Sequence, residues 1–170
     1  TAGHSQRVSE MALKVCELIG LKKKDILKIH IAAHLHDIGK IGIPDAILNK
    51  EGRLTDEEFE IMKTHSAIGA GILSKSKSLS EFSDIVLHHH ERFDGKGYPD
   101  GLKGEKIPVG ARIIAICDSI DAMTSNRRYR KALGFDVCYQ EIEKNLGKMY
   151  DPIIGQYVLD HFAEVTACLH

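Results

Sequence analysis

Residues 26–40 read ILKIHIAAHLHDIGK, and the fold class turns on this stretch. Ile26, Ile29, Ala33 and Leu35 form a dense apolar set at helical spacing. That pattern predicts a central helix from about Lys22 to Asp37, with Gly39 as its stop. Upstream, Val8, Met11, Ala12, Val15, Leu18 and Ile19 recur at three and four residues, the period of an amphipathic helix ending at Gly20. Downstream, residues 41–54 read as loop apart from a turn after Pro44. Thr55 with Glu58 is a capping-box pattern that opens a helix through Phe59, Met62, Ile68 and Leu73. A further helix is expected over Ser80 to His90. Residues 94–110, rich in glycine and holding Pro99 and Pro108, predict an extended loop. Helices from Ala111 to about Thr124 and from Phe135 to Leu146 follow, and Asp151 with Pro152 reads as N-cap and first position of the last helix. With no strand alternation and no repeat, the class is all-α, a compact multi-helix domain with one long Gly/Pro-rich loop.

A chain of 170 residues, 43% hydrophobic and 28% charged, predicts one domain over residues 1–170 that can bury both a core and a polar site. The net charge of -1 supplies no general basic field, so polymeric nucleic acid is not an expected partner. A small phosphorylated ligand held by local cations is favoured instead. Cys16, Cys117, Cys138 and Cys168 are scattered and form no C-x-x-C pair, which argues against a thiolate zinc site and suits a reducing cytoplasm. No run reaches the length of a membrane span and no signal-peptide pattern opens the chain, so a soluble cytoplasmic piece without membrane contact is expected. The chain begins without Met in what reads as the first turns of a helix. This suggests a fragment of a longer regulated protein, with an upstream regulatory domain or a homodimer partner.

Ten histidines are present, and His4, His36, His65, His89 and His90 fall on different predicted helices or at their ends. Without thiolates, imidazole and carboxylate are the donors that suit divalent transition metals. Adjacent His36 and Asp37 stand about 100° apart on a helix, so both can lean into one groove, and a carboxylate has two oxygens with which to bridge two ions. The plain alternative is a helix end with a solvated Asp.

His36-Asp37-Ile38-Gly39-Lys40, then His89-His90-Glu91-Arg92 with Asp94-Gly95-Lys96-Gly97-Tyr98-Pro99, then Cys117-Asp118-Ser119-Ile120-Asp121-Ala122-Met123-Thr124, resemble the HD-GYP subgroup of the HD phosphohydrolases. The resemblance runs from Gly3 to about Phe162. It implies an all-helical fold around a di-iron or related centre and cleavage of cyclic di-GMP, a bacterial second messenger. By the same resemblance, His4, His36, Asp37 and Asp118 would hold one divalent metal, and Asp37 would bridge to a second held by His65, His89 and His90. Iron or manganese is expected, with nickel, cobalt or zinc as alternatives. Taken alone, His4 reads as an exposed helix residue and His65 as a core histidine. Glu91 fixes the register of the His88-His89-His90 triple and leaves His88 outward-facing or supporting. His30, His34, His161 and His170 match no ligand position.

Charge supplies the remaining candidates. Lys40 is expected to bind a phosphoryl oxygen as part of the catalytic set with Asp37. Arg127 and Arg130 are expected to grip phosphate, against the alternative of a solvated basic run. Tyr98 would face a guanine or shape the lip, and Asp121 would contact substrate or orient a ligand. Asn126 and Arg128 depart from the family, which usually has Asp and Pro there, and this puts the local loop shape in doubt. The expected reaction is attack on a phosphodiester by a metal-bridging hydroxide, giving linear pGpG, with a second round to GMP as an option that the resemblance leaves open. Alternatives are another cyclic dinucleotide or nucleotide as substrate, or a non-catalytic nucleotide-binding signalling module. Some family members use a Glu one turn before the first ligand histidine for a third ion. Here that position would precede Thr1, so at most two metals are expected, with the His4 ion the more labile.

Overall fold

The computed structural model describes residues 3–127 and 130–170. Ten α-helices follow one another: α1 His4–Ile19, α2 Lys23–Leu35, α3 Asp45–Leu48, α4 Asp56–Lys63, α5 His65–Ser74, α6 Ser83–Leu87, α7 Val109–Thr124, α8 Phe135–Lys144, α9 Pro152–Asp160 and α10 Phe162–Val165. Short 3-10 turns join several of them. Among the described residues there is no strand, only isolated bridges at Arg127 with Arg130 and Leu146 with Tyr150.

Helix α7 is the axis of the molecule. Ile113, Ile114, Ile116, Cys117 and Ile120 are all fully buried, so it is covered on most of its circumference. Helix α1 lies across it and against α2, presenting Val8, Met11, Ala12, Val15 and Cys16 to a shared core. Gly20 closes α1 in a left-handed conformation (φ 84°) and gives its N–H to the Cys16 and Glu17 carbonyls, as its residue type predicts. Asp151 caps α9, its carboxylate accepting from the Ile153 and Ile154 N–H groups at 2.8 and 3.1 Å.

Three predicted helices end earlier than their apolar spacing suggests, and each early end serves the site. Helix α2 stops at Leu35, so His36 and Asp37 sit in the turn before a 3-10 segment, Ile38–Gly42, rather than on the helix. Gly39 is not a left-handed stop. A Cβ there would collide with the His65 carbonyl and lie 2.5 Å from the Gly69 nitrogen, so its bare backbone lets α5 press against this turn. The Thr55–Glu58 capping box forms, but its helix breaks after Lys63. The Thr64 hydroxyl donates back to the Ile61 carbonyl at 2.6 Å, a bond that competes with the helical ladder, and α5 restarts at His65. The Ser80–His90 helix becomes a 3-10 turn and the short α6, which leaves His88, His89 and His90 beyond its end.

Candidate metal centre

Helix ends leave carbonyls without partners, and three histidines take them. His36 Nδ1 donates to the Ala33 carbonyl at 2.6 Å, His65 Nδ1 to Met62 at 2.7 Å, and His89 Nδ1 to Val86 at 2.6 Å. Each bond fixes the tautomer and leaves the Nε2 lone pair free to point inward. His4 is anchored in the same way through its Nδ1, 2.6 Å from the Asp121 carboxylate, which turns its Nε2 inward to 2.9 Å from Asp118.

The inward nitrogens form two clusters. His4, His36 and Asp118 bring donor atoms within 4.8 Å of one another, and so do His65, His89 and His90. Asp37 lies between them. Its Oδ2 faces the first cluster, 3.4 Å from both His4 Nε2 and His36 Nε2, and its Oδ1 lies 3.7 Å from His65 Nε2 in the second. The Nε2 atoms of His36 and His89 are fully buried and have no hydrogen-bond partner. Buried polar atoms are rarely left so, and lone pairs aimed at a common point among carboxylates are what a bound cation satisfies. The donor set therefore fits two divalent metals.

The two clusters differ in charge. Burial opposes a proton on His4, but the hydrogen bonds to Asp118 and Asp121 outweigh it and raise its pKa to about 9. His36 is likewise raised against its burial, by Asp118 and Asp37. On the other side burial dominates: it lowers His65, takes His89 well below the usual value, and brings His90 down to about 4. Burial works against the Asp37 charge, yet His36 and Lys40 hold its pKa at about 2.

All seven predicted ligands meet here, and Lys40 stands beside them with Nζ 3.1 Å from Asp37 Oδ2. Tyr98 stacks on His90, with ring centroids 5.0 Å apart and planes at 19°, and meets the edge of Phe59. The peptide bond that joins it to Pro99 is cis.

The remaining candidate residues lie around this centre. Asp121 is completely buried, with His4 on Oδ2 and Arg7 Nε on Oδ1 at 2.6 Å, so it holds a ligand and is closed to substrate. Arg130 gives its guanidinium to the carbonyls of Ala122 and Lys131, at 2.8 and 3.3 Å, which ties it to the end of α7. Arg127 pairs with Arg130 through the backbone, and its side chain is half-buried. Asn126 Oδ1 accepts from the Ala132 N–H, while Arg128 lies outside the described residues. His88 does not face outward. It is buried, with Nε2 2.7 Å from Asp100. Sequence reasoning missed Arg7, although the i, i+3 spacings of His4 with Arg7 and Asp118 with Asp121 place each pair on one helix face. Glu91, read only as a register mark, accepts the N–H groups of Asp100 and Leu102 and so ties the long loop to the histidine turn.

The chain belongs to the HD domain family, whose model matches residues 1–154. It is 46% identical over 168 residues to a cyclic di-GMP phosphodiesterase of Thermotoga maritima, covering 98% of this chain and 46% of that protein. It is 44% identical over 154 residues to a cyclic di-GMP phosphodiesterase response regulator of Xanthomonas campestris, covering 89% of this chain and 41% of that one. The chain thus spans less than half the length of these curated relatives. Its fold superposes on a cyclic GMP-AMP specific phosphodiesterase of Vibrio cholerae with a TM-score of 0.76 at 16% identity, over 99% of this chain and 45% of the other.

Proposed function

We propose that this domain is a two-metal phosphodiesterase that opens cyclic di-GMP to linear pGpG and onward to GMP. The observation that carries the reading is Asp37, whose two oxygens face two separate His-rich clusters. Iron or manganese is the expected metal pair, since the donors are nitrogen and oxygen. When bound, the ions would supply Lewis-acid charge and bring the pKa of a water toward about 7.

The chain's own side chains do the rest. Lys40, partly exposed beside Asp37, is placed to hold a non-bridging phosphoryl oxygen and to offset charge that develops there. Asp121 and Arg7 fix the His4 ring by clamping its Nδ1 side. Tyr98 offers an aromatic face at the rim beside His90, and burial pushes its phenol pKa up, so it stays a neutral hydrogen-bonding group. Arg127 and Arg130, just past α7, are the candidates for a rim phosphate contact.

The four cysteines are free, which suits a reducing compartment, and the cytoplasm is the proposed location. No helix among the described residues is long and apolar enough to cross a membrane. The reading is tested by incubating the protein with cyclic di-GMP after loading with manganese or, anaerobically, ferrous iron, and resolving the products by chromatography. Metal-dependent appearance of pGpG is expected. A fully metal-loaded protein that binds the dinucleotide and leaves it intact would overturn it.

A further inference from the structure

Beside the metal centre lies a cavity of about 260 Å³ that shares His90 and Asp118 with it as a wall. Its floor is one face of α7, where Ala115, Ser119 and Ala122 recur at helical spacing with Asp118. The opposite wall is Met149 with Tyr150, and Arg92 lines the same space. Backbone pairing builds this wall: Phe93 N–H donates to the Met149 carbonyl at 3.3 Å and Asp94 N–H to Lys148 at 2.8 Å.

We infer that this cavity is the subsite for one purine base of the substrate, and that Arg92 is the residue that selects guanine in it. The inference rests on the reading of the domain as a cyclic dinucleotide phosphodiesterase and adds which base is read and by what. Position comes first, since a phosphodiester held at the shared His90 and Asp118 wall puts its attached nucleoside at the cavity mouth. Size is the second argument. The volume falls just below the range of about 300–1,000 Å³ typical of sites for drug-sized ligands, so it admits one ring system and excludes a whole dinucleotide.

The lining is the third. Alanine and methionine surfaces suit a flat aromatic ring, while the Ser119 hydroxyl, beside the Tyr150 phenol, and Arg92 are polar. The Arg92 fork is held by Asp94, which accepts from Nε at 3.2 Å and from Nη2 at 2.8 Å. Its other terminal nitrogen has no contact with Asp94 and offers donors. Guanine presents two acceptors, O6 and N7, on the edge that arginine reads, whereas adenine places an amino donor where O6 would be.

The test compares the metal-loaded wild type with Arg92→Met on cyclic di-GMP, cyclic di-AMP and bis(p-nitrophenyl) phosphate, a diester without a base. The variant is expected to lose roughly tenfold or more in kcat/KM on cyclic di-GMP, mainly through KM. It should keep its rate on the baseless diester and on cyclic di-AMP. Equal losses on all three substrates, or no loss on cyclic di-GMP, would overturn the assignment. A second variant, Ala122→Leu, fills the cavity without touching Arg92, and calorimetric binding of GMP should weaken roughly tenfold or more while metal content holds. Unchanged GMP affinity would overturn the subsite. Should the wild type cleave the baseless diester and no cyclic dinucleotide, the functional reading fails, and GMP against AMP binding to wild type and both variants still decides whether the cavity takes guanine.

Discussion

Nε2 of His65 lies 3.2 Å from Nε2 of His90. The His65 ring has its proton on Nδ1, engaged by the Met62 carbonyl, so its Nε2 carries a lone pair. Adjacent nitrogen ligands on one ion, at bond lengths of about 2.1 Å, stand about 3 Å apart, and these two already have that spacing. His90→Ala is therefore expected to remove one of two metals and leave the ion of the His4 cluster in place, as counted by plasma mass spectrometry. Retention of both ions would remove His90 from the ligand set.

Asp37→Asn should empty both positions. The amide keeps the shape of the carboxylate but loses the charge that faces both clusters. Far-UV circular dichroism should stay helical while metal content and hydrolysis both collapse. A variant that kept both ions at full rate would break the two-metal mechanism.

Lys40 touches Asp37 but joins no cluster of metal donors. Lys40→Ala should retain its metals and lose roughly 100- to 1,000-fold in kcat, the scale of removing one preorganised donor to developing charge. Loss of metal in its place would make Lys40 a structural partner of Asp37.

Protons compete with metal for each Nε2, and the two clusters hold protons differently. His4 takes up its proton near pH 9 and His36 is raised too, whereas His90 stays neutral down to about 4 and His65 and His89 are lowered. As pH falls, the His4 cluster therefore surrenders its ion first. Dialysis against limiting manganese from pH 9 to pH 5.5 should take the chain from two ions to one, with His4→Ala holding one ion throughout. Simultaneous release of both would contradict the asymmetry.

Gly39→Ala tests how the fold builds the site. The added methyl meets the His65 carbonyl and the Gly69 backbone, which are not flexible side-chain ends. A loss of about 3 kcal/mol is expected, seen as a fall in Tm of roughly 6–12 °C, together with weakened metal binding. An unchanged Tm would mean that α5 can move away freely.

These positions also show what a sequence can disclose. The Thr55–Glu58 box and the Asp151–Pro152 start were legible because their bonds run between residues three or fewer apart. The candidate metal donors His36, Asp37, His89, His90 and Asp118 were legible because they lie in distinctive strings, whereas His4 and His65 stand in none and were read through the family resemblance. The break at Thr64 was not legible, because apolar spacing continues from Phe59 to Leu73 straight across it. What breaks the helix is a side-chain bond to Ile61 that periodicity does not register. The same holds for Gly39, whose partner is 26 residues on at His65, and for Asp121, whose role depends on His4 across 117 positions. Contacts of that span come from packing, which local pattern does not encode.

In the proposed mechanism one carboxylate, that of Asp37, joins two metal positions into a single hydrolytic centre. Metal-free protein titrated with manganese, with cyclic di-GMP hydrolysis read at each ratio of bound ion to chain, tests it most directly. The rate should stay near background up to one ion per chain and rise to its maximum as the second loads. A full rate at one ion per chain, or one still climbing toward a third, would contradict it.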